Sequence, residues 1–218
     1  MYNEERTFPD GATLAHAAAH FVVETAHLAV NSKGIFNLAV SGGNSPRAML
    51  EVFAASPMPW AQTVIYQVDE RVVAADDPLR NLRLLRECLP KAAVVRAMPV
   101  DEGDLERAAD EYALSLPKWF DLVHLGLGPD GHTASLVPGD PVLEVDDRDV
   151  AISGEYQGHQ RMTLTYPGLA RARKLLWLVS GADKHRALSL LLRGDHSIPA
   201  GRVEATSSLV MADAAAAS

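Results

Sequence analysis

Apolar and polar positions along the chain follow two periods that alternate. Stretches with an apolar residue every three or four positions predict helices, and short, mostly apolar runs between them predict buried strands. The predicted helices cover residues 11–30, 46–55, 78–88, 104–116 and 183–192. The predicted strands cover residues 35–40, 63–68, 120–127, 161–165 and 174–180. Strands that alternate with helices indicate a mostly parallel sheet that helices cover on both faces.

Length and charge narrow the class of protein further. A chain of 218 residues suits one α/β domain, so we expect residues 1–218 to fold as a single domain. The formal net charge of -8 argues against a nucleic-acid-binding protein, which would carry a basic patch or domain. The sequence also lacks any stretch near the roughly 18 apolar residues of a membrane span. We therefore expect neither a nucleic-acid partner nor a membrane partner.

Cysteine usage and the first residues bear on the compartment. Cys88 is the only cysteine, which excludes an intrachain disulfide and a cysteine-rich zinc site. The start, MYNEERTFPD, is polar and acidic and does not follow the pattern of a signal peptide. These features are compatible with a reducing compartment. We expect a cytoplasmic protein.

Ligands of parallel sheets bind outside the carboxyl ends of the strands, so the loops after the predicted strands are the places to search. The segment SGGNSP, residues 41–46, follows the strand at 35–40 and leads directly into a helix. The backbone at Gly42 and Gly43 can approach a ligand closely, and the helix N-terminus favours an anion such as phosphate. A tight turn without any ligand explains these two glycines equally well.

Two further strand-end loops carry cations. Arg71 ends the segment DER after the strand at 63–68, and an arginine can make two parallel hydrogen bonds to a phosphate or carboxylate. Lys184 lies just inside the N-terminus of the helix at 183–192, where its charge opposes the helix dipole. A bound phosphate would remove that conflict. The alternatives are a solvated charge cluster around Arg71 and an ordinary exposed lysine at 184.

The loop GLGPDGHTAS, residues 126–135, matches a cofactor pattern by its spacing alone. Its glycines form G-x-G-x-x-G, the loop that holds a dinucleotide pyrophosphate. That motif needs a long helix directly after the third glycine. Pro138 and Gly139 interrupt the chain only a turn or two after Gly131. The context therefore disfavours NAD or NADP binding.

The same loop offers acid–base chemistry. His132 is a natural general base, because the unperturbed pKa of histidine is about 6.5. Asp130, two residues earlier, could orient the imidazole. Capping of a short following helix is the alternative role for His132. We take His132 and Asp130 as candidate catalytic residues.

A group of polar side chains on the first helix has a spacing that could hold a metal ion. His16, His20, Glu24 and His27 lie on one face of that helix. The opposite face is an apolar stripe, which is typical of an amphipathic helix with a solvated polar side. We therefore expect no metal and no cofactor.

Several segments of this chain occur in the order found in one family. They are SGGNSP, DERVVAADDPLRN, FDLVHLGLGPDGHTASLVPG, RMTLT, SGADKHRAL and the closing LVMADAAAA, together spanning about residues 35–215. In these segments the chain resembles the 6-phosphogluconolactonases. The resemblance implies a Rossmann-like three-layer α/β/α fold of the sugar-phosphate isomerase/deaminase type. It implies hydrolysis of a small phosphorylated sugar lactone, 6-phosphoglucono-δ-lactone, to 6-phosphogluconate in the oxidative pentose phosphate pathway, without a metal.

The resemblance also implies roles for single residues. His132 matches the family's histidine that is proposed to activate water, and Gly42 and Gly43 match its phosphate-binding loop. Arg71 and Lys184 match its two cations. The remaining candidates for substrate or phosphate binding are Arg161, which precedes T-L-T, and Asn44, which stands where Ser or Thr is usual and can still donate to phosphate. The expected molecule is a monomer or small homo-oligomer.

Three other positions depart from the family's pattern. Ala74 replaces a proline, Arg80 replaces a serine before Asn81 and could alter the rim of the pocket, and Val137 stands where phenylalanine is common. One alternative function is that of an amino-sugar-phosphate deaminase or isomerase of the same fold. The deaminases carry a glutamate at the position of Val137, which counts against this alternative. A second alternative is a non-catalytic sugar-phosphate sensor, which would usually carry an added DNA-binding segment for which neither end leaves room.

Overall fold

Seven parallel strands form the central sheet in a computed structural model, which describes residues 4–218 apart from the side chains of Asn44 and Ser45. The strands are β1 (Glu4–Phe8), β2 (Phe36–Val40), β3 (Thr63–Gln67), β5 (Val94–Arg96), β6 (Leu122–Gly126), β9 (Lys174–Val179) and β10 (Ser207–Asp213). Their order across the sheet is β1-β10-β9-β6-β2-β3-β5, and each neighbouring pair is parallel.

The strand order reverses between β2 and β6. From β2 the chain continues outward through β3 to β5, and from β6 it continues in the other direction through β9 to β10. The connections on the two sides of this point therefore run to opposite faces of the sheet and leave a crevice at the carboxyl ends of β2 and β6. Such a switch point is where open parallel sheets bind ligands.

Helices cover the sheet on both faces because alternate strand residues point to opposite sides. Leu38 of β2 faces an apolar cluster formed with α1, α2 and α3, whereas Ala39 faces a second cluster with α4 and α6. The helices are α1 (Gly11–Lys33), α2 (Asn44–Ala54), α3 (Asn81–Cys88), α4 (Leu105–Ser115), α5 (Tyr166–Leu169), α6 (His185–Leu192) and α7 (Ala214–Ala217). Single 3-10 turns occupy Trp60–Gln62, Pro141–Glu144, Ala182–Lys184 and Pro199–Arg202.

A smaller antiparallel sheet lies beside the central one. It consists of β4 (Asp69–Arg71), β8 (His159–Leu164) and β7 (Val150–Tyr156), in the order β4-β8-β7. Residues of β7 and β8 belong to the same apolar cluster as α4, so this sheet packs on that side of the molecule. Gln157 and Gly158, both at positive φ, form the two-residue turn between β7 and β8, as the twist of a tight hairpin requires.

The structure confirms the predicted three-layer α/β fold and differs in detail. All ten predicted elements occur, with ends that shift by a few residues. Residues 69–71, expected as a loop, form strand β4, and the predicted strand at 161–165 belongs to the small sheet instead of the parallel one. Besides β4, four further strands were missed, namely β1, β5, β7 and β10. None of the helices within residues 4–218 combines the length and apolar character that crossing a bilayer requires.

Candidate active site

A cavity of about 390 Å³ opens at the switch point of the sheet. Its walls come from the loops after β2, β6 and β9, from β4 and the start of α3, and from the β7–β8 hairpin. The structure thus brings together Gly42, Gly43, Arg71, His132, Arg161 and Lys184, which the sequence analysis singled out on five separate segments. Asp130 does not line the cavity but contacts His132.

The glycine loop after β2 forms one end of this cavity. Gly43 has a φ of 114°, a conformation that side chains rarely adopt, and it precedes the first residue of α2. No side chain in the described structure caps this helix end. The N-terminus of α2 therefore directs uncapped backbone donors and the positive end of its dipole to the cavity, a suitable site for an anion. The predicted phosphate donor Asn44 begins α2, but its side chain lies outside the described residues.

His132 and Asp130 form a hydrogen-bonded pair at another wall. Asp130 Oδ1 lies 2.6 Å from His132 Nδ1 and accepts a second hydrogen bond from the His132 backbone N–H at 3.1 Å. Burial alone would raise the pKa of Asp130, but these bonds and the imidazole charge hold it below its usual value. An ionised Asp130 keeps the proton of a neutral imidazole on Nδ1, which leaves the lone pair of Nε2 free to accept a proton.

The glycines around His132 have steric reasons that need no dinucleotide. A Cβ at Gly128 would lie 2.0 Å from His132 Nδ1, and one at Gly131 would lie 2.5 Å from Ile198. Gly131 also has a φ of 84°. The backbone bonds from Gly128 N–H to the carbonyl of His132 and from Gly131 N–H to that of Gly128 close a tight loop. No helix follows this loop before the 3-10 turn at Pro141–Glu144, so His132 does not cap one.

Arg71 and Arg161 lie side by side on neighbouring strands of the small sheet. They are direct partners in the antiparallel register of β4 and β8, so their side chains share one face. Arg161 is only 5% exposed, its Nε has no hydrogen-bond partner within the described structure, and its guanidinium carbon lies 5.1 Å from the Tyr156 ring centroid. Burial lowers the pKa of Arg161, Asp69 opposes this shift and Arg71 adds to it. Two like charges opposite each other are unfavourable unless an anion lies between them.

Lys184 completes the cationic part of the cavity. It ends the 3-10 turn Ala182–Lys184 and directly precedes α6, so it lies one position before the helix and not just inside its N-terminus as predicted. Its Nζ lies 2.9 Å from Asp183 Oδ2, and Asp183 is largely exposed. An exposed ion pair of this kind contributes little. The ammonium group therefore stays available to a ligand in the cavity.

Asp69, Asn81 and Tyr156 also line the cavity, and the sequence analysis did not single them out as site residues. Asp69 is buried, accepts a hydrogen bond of 2.7 Å from Ser135 Oγ, and has a pKa that burial raises above its usual value. The Tyr156 ring packs edge-on against His132 with 5.3 Å between centroids, and its hydroxyl lies 3.4 Å from Asp130 Oδ2. A period-2 pattern around the Gln157-Gly158 turn is the signal that could have located Tyr156.

Two departures from the family pattern lie away from the cavity wall. Arg80, expected at the rim, is 4% exposed, donates to the Val73 carbonyl and lies 3.5 Å from the buried carboxylate of Glu70. Val137 is also buried and does not line the cavity. Neither side chain therefore shapes the rim directly.

The polar face of α1 does not form a metal site. His20 pairs with Glu24 at 3.4 Å, and the His27 imidazole lies 2.8 Å from the carbonyl of Pro57. Within residues 4–218 there is no group of three or more His, Cys, Asp or Glu side chains arranged to hold a metal ion.

Comparison with known proteins gives consistent matches over nearly the whole chain. The family model described as glucosamine-6-phosphate isomerases/6-phosphogluconolactonase matches residues 9–211. A 6-phosphogluconolactonase of Synechocystis sp. is 38% identical over 176 residues, which cover 73% of this chain and 72% of that protein. The crystal structure of a 6-phosphogluconolactonase from Shewanella baltica OS155 has a TM-score of 0.85 at 26% identity, over 97% of this chain and 98% of that one.

A structure with a different activity also matches. A monomeric glucosamine-6-phosphate deaminase has a TM-score of 0.85 over 99% of both chains, at 17% identity. Identity this low shows a shared fold alone.

Proposed function

The chain belongs to the family of glucosamine-6-phosphate isomerases and 6-phosphogluconolactonases, and on that premise we propose that it hydrolyses 6-phospho-D-glucono-1,5-lactone to 6-phospho-D-gluconate. One observation carries the proposal. A single cavity is lined by His132, which is hydrogen-bonded to Asp130, and by the cations Arg71, Arg161 and Lys184. A base and a separate anion site are the two parts that hydrolysis of a phosphorylated lactone requires.

The cationic end of the cavity binds the phosphate of the substrate. Arg71 and Arg161 share one face of the small sheet, and the uncapped N-terminus of α2 opens to the same cavity. Hydrogen bonds to charged groups contribute about 1.5–3 kcal/mol each, so this end supplies most of the affinity. Because the phosphate is remote from the lactone carbonyl, binding it orients the ring for attack.

The His132 end carries the chemistry. Nε2 of His132 takes a proton from a water molecule, whose oxygen adds to the lactone carbonyl carbon. The resulting tetrahedral oxyanion collapses, the bond between this carbon and the ring oxygen breaks, and the imidazolium returns its proton to that oxygen. Asp130 stabilises the imidazolium in between and holds the ring in place. A lactone is an activated ester, so no covalent nucleophile is needed.

Amino-sugar-phosphate deamination is the second candidate, because the deaminase above shares the fold and Asp69 offers a buried carboxyl with a raised pKa on the cavity wall. Two observations favour the lactonase. A 6-phosphogluconolactonase of Synechocystis sp. is 38% identical to this chain, whereas the deaminase is 17% identical. The position at which the deaminases carry a glutamate is Val137.

One preparation tested on both substrates separates the two functions. Proton release from the lactone at controlled pH is measured and corrected for spontaneous hydrolysis, and ammonia release from glucosamine 6-phosphate is measured in parallel. We expect fast lactone hydrolysis, no ammonia, and loss of hydrolysis in His132→Ala. Ammonia release by the unmodified protein at a rate comparable to its lactone hydrolysis would overturn the proposal and leave the fold intact.

Three features stay predictions from the sequence. They are a single domain over residues 1–218, a monomeric or small homo-oligomeric state, and a cytoplasmic location. Gel filtration with light scattering tests the oligomeric state, and fractionation of the source cells tests the location.

A further inference from the structure

Asn81 lies where the glycine loop, strand β4 and the start of α3 meet. It has no part in the mechanism above. It is the first residue of α3, it is 8% exposed, and it lines the cavity. An amide side chain this deeply buried keeps its place only where its donor and acceptor groups are satisfied.

The amide of Asn81 joins Arg71 to Asp69. Its Oδ1 accepts a hydrogen bond of 3.3 Å from Arg71 Nη1, and its Nδ2 donates to the Asp69 carbonyl at 3.0 Å and to Asp69 Oδ1 at 3.3 Å. Arg71 Nη1 also donates to the Leu79 carbonyl at 2.7 Å. Within the described residues the Arg71 side chain makes no other hydrogen bond, so its Nε and Nη2 are left for a ligand.

The same side chain packs against the glycine loop. A Cβ built at Gly42 would lie 2.0 Å from Asn81 Oδ1 and 2.2 Å from its Cγ. Any side chain at position 42 would therefore clash with the Asn81 amide. This contact sets the distance between the glycine loop and the arginine that Asn81 holds.

Hydrogen bonds to the Glu70 side chain fix the backbone at the start of α3. The fully buried carboxylate of Glu70 accepts hydrogen bonds of 2.7 Å from the N–H groups of Asn81 and Leu82, and 2.8 Å from Gln67 Nε2. It thereby satisfies the first donors of α3, which has no N-cap side chain. The Arg80 guanidinium, with Nε 3.5 Å from Glu70 Oε2, offsets the buried charge. Asn81 is thus a rigid support for the groups that it contacts.

We propose that Asn81 is a positioning residue, which holds Arg71 at a set distance from the Gly42–Gly43 loop and so pre-forms the phosphate site. The inference deepens the proposed function and rests on it, because it takes the ligand between the loop and Arg71 to be a sugar phosphate. A pre-formed site loses less entropy on binding than one whose arginine is free to rotate.

The test is a double-mutant cycle between Asn81→Ala and Arg71→Ala, with 6-phosphogluconate binding measured by calorimetry. We expect Asn81→Ala alone to weaken binding about tenfold, the size of one hydrogen bond to a charged group. In the Arg71→Ala background the same change should have little further effect, since the group that it positions is gone. In lactone hydrolysis, KM should rise more than kcat falls.

Arg83→Ala is the matched control, because Arg83 lies on the same helix, is half exposed and pairs with Glu87. It should leave binding unchanged. Asn81→Asp serves if Asn81→Ala does not fold. Its added charge neutralises Arg71, so it should also weaken binding, and its folding is checked by thermal unfolding.

Three results would overturn the inference. They are unchanged binding in Asn81→Ala, an equal loss in both backgrounds, and no binding of 6-phosphogluconate by the unmodified protein. A protein that binds 6-phosphogluconate without hydrolysing the lactone would refute the proposed function alone, since the calorimetric cycle still decides the role of Asn81.

Discussion

At the scale of single residues, the position of His132 depends on residue 128 being a glycine. The imidazole occupies the space that a Cβ at Gly128 would fill, and the Asp130 carboxylate, which also lies beside Gly128, holds the ring by a hydrogen bond to Nδ1. Tyr156 closes the arrangement by packing against the ring and reaching Asp130 with its hydroxyl. A short loop thus carries a base with one orientation and one tautomer.

This arrangement predicts different outcomes for its two acid–base residues. His132→Ala should lower kcat by about 10²–10⁴-fold, the usual contribution of a positioned general base. Asp130→Asn should lower kcat less than His132→Ala does, because the base is kept but a neutral amide no longer stabilises the imidazolium that forms during the reaction. Both variants should still bind 6-phosphogluconate. Initial rates measure kcat in both variants, and calorimetry measures their binding of 6-phosphogluconate. A near-normal kcat in His132→Ala would show that His132 is not the general base.

A second histidine, His124 on β6, should affect stability. It is 0% exposed, its Nδ1 faces the N–H of Ser41 at 3.4 Å, and burial lowers its pKa from 6.5 to about 4. As the pH falls from 6.5 to 4, the unfolded chain takes up a proton that the folded chain does not. The free energy of unfolding should therefore decrease by roughly 3 kcal/mol over this range through His124 alone.

Urea unfolding between pH 7 and pH 4 measures this effect. His124→Leu should flatten the dependence on pH, even if it lowers stability throughout by leaving the Ser41 N–H without its acceptor. His16→Gln, at an exposed position on α1, should leave the slope unchanged. An unchanged slope in His124→Leu would assign the acid sensitivity to other groups.

At the scale of elements, the site depends on how the loop after β2 meets the start of α3. Gly42 does not have a positive φ, so its need for glycine comes from the contact with Asn81. Gly42→Ala should destabilise the protein by about 1–3 kcal/mol, the usual effect of overpacking. It should also weaken 6-phosphogluconate binding, since either the loop or Asn81 must move.

Gly103→Ala is the matched control for this prediction, because a Cβ there meets nothing within 4 Å. Thermal unfolding and calorimetry on both variants provide the comparison. If Gly42→Ala has the same stability and affinity as Gly103→Ala, the loop and Asn81 can move apart at little cost, and the contact does not require glycine at position 42.

The small antiparallel sheet is the other element that builds the site. Its register places Arg71 opposite Arg161, and its hairpin brings Tyr156 beside His132. The central sheet supplies the glycine loop and His132, and the small sheet supplies two of the cations. The proposed anion site therefore lies where the two sheets meet.

At the scale of the whole molecule, the candidate site lies at the switch point of a parallel sheet, where such sheets often bind a dinucleotide. We expect kcat/KM to be unchanged after dialysis against EDTA, because no cluster of three metal-ligating side chains exists within residues 4–218. We also expect no heat of binding with NAD or NADP, because no helix directly follows Gly131. Activity that is lost on chelation and restored by one metal would contradict the expectation about EDTA. Binding of NADP in the micromolar range would contradict the expectation about dinucleotides.

The sequence by itself determined the layered fold and the strand ends where the site lies. Apolar runs predicted most strands of the central sheet, and helical periods predicted the helices around it. Short motifs indicated His132, Asp130, the glycine loop and the cations as candidate site residues. Periodicity is a local property, so it predicts elements and the loops between them well. It failed for the short strand β5, for β4 within a charged segment, and for the edge strand β1, which has little apolar character.

Only the tertiary structure decided which side chains meet. Arg71 and Arg161 become partners through strand register, Asn81 reaches Gly42 through the docking of α3, and Arg80 turns away from the cavity toward Glu70. Each of these contacts joins segments that no period or motif spacing relates. Register and helix docking follow from how the whole core packs, so a local pattern cannot specify them.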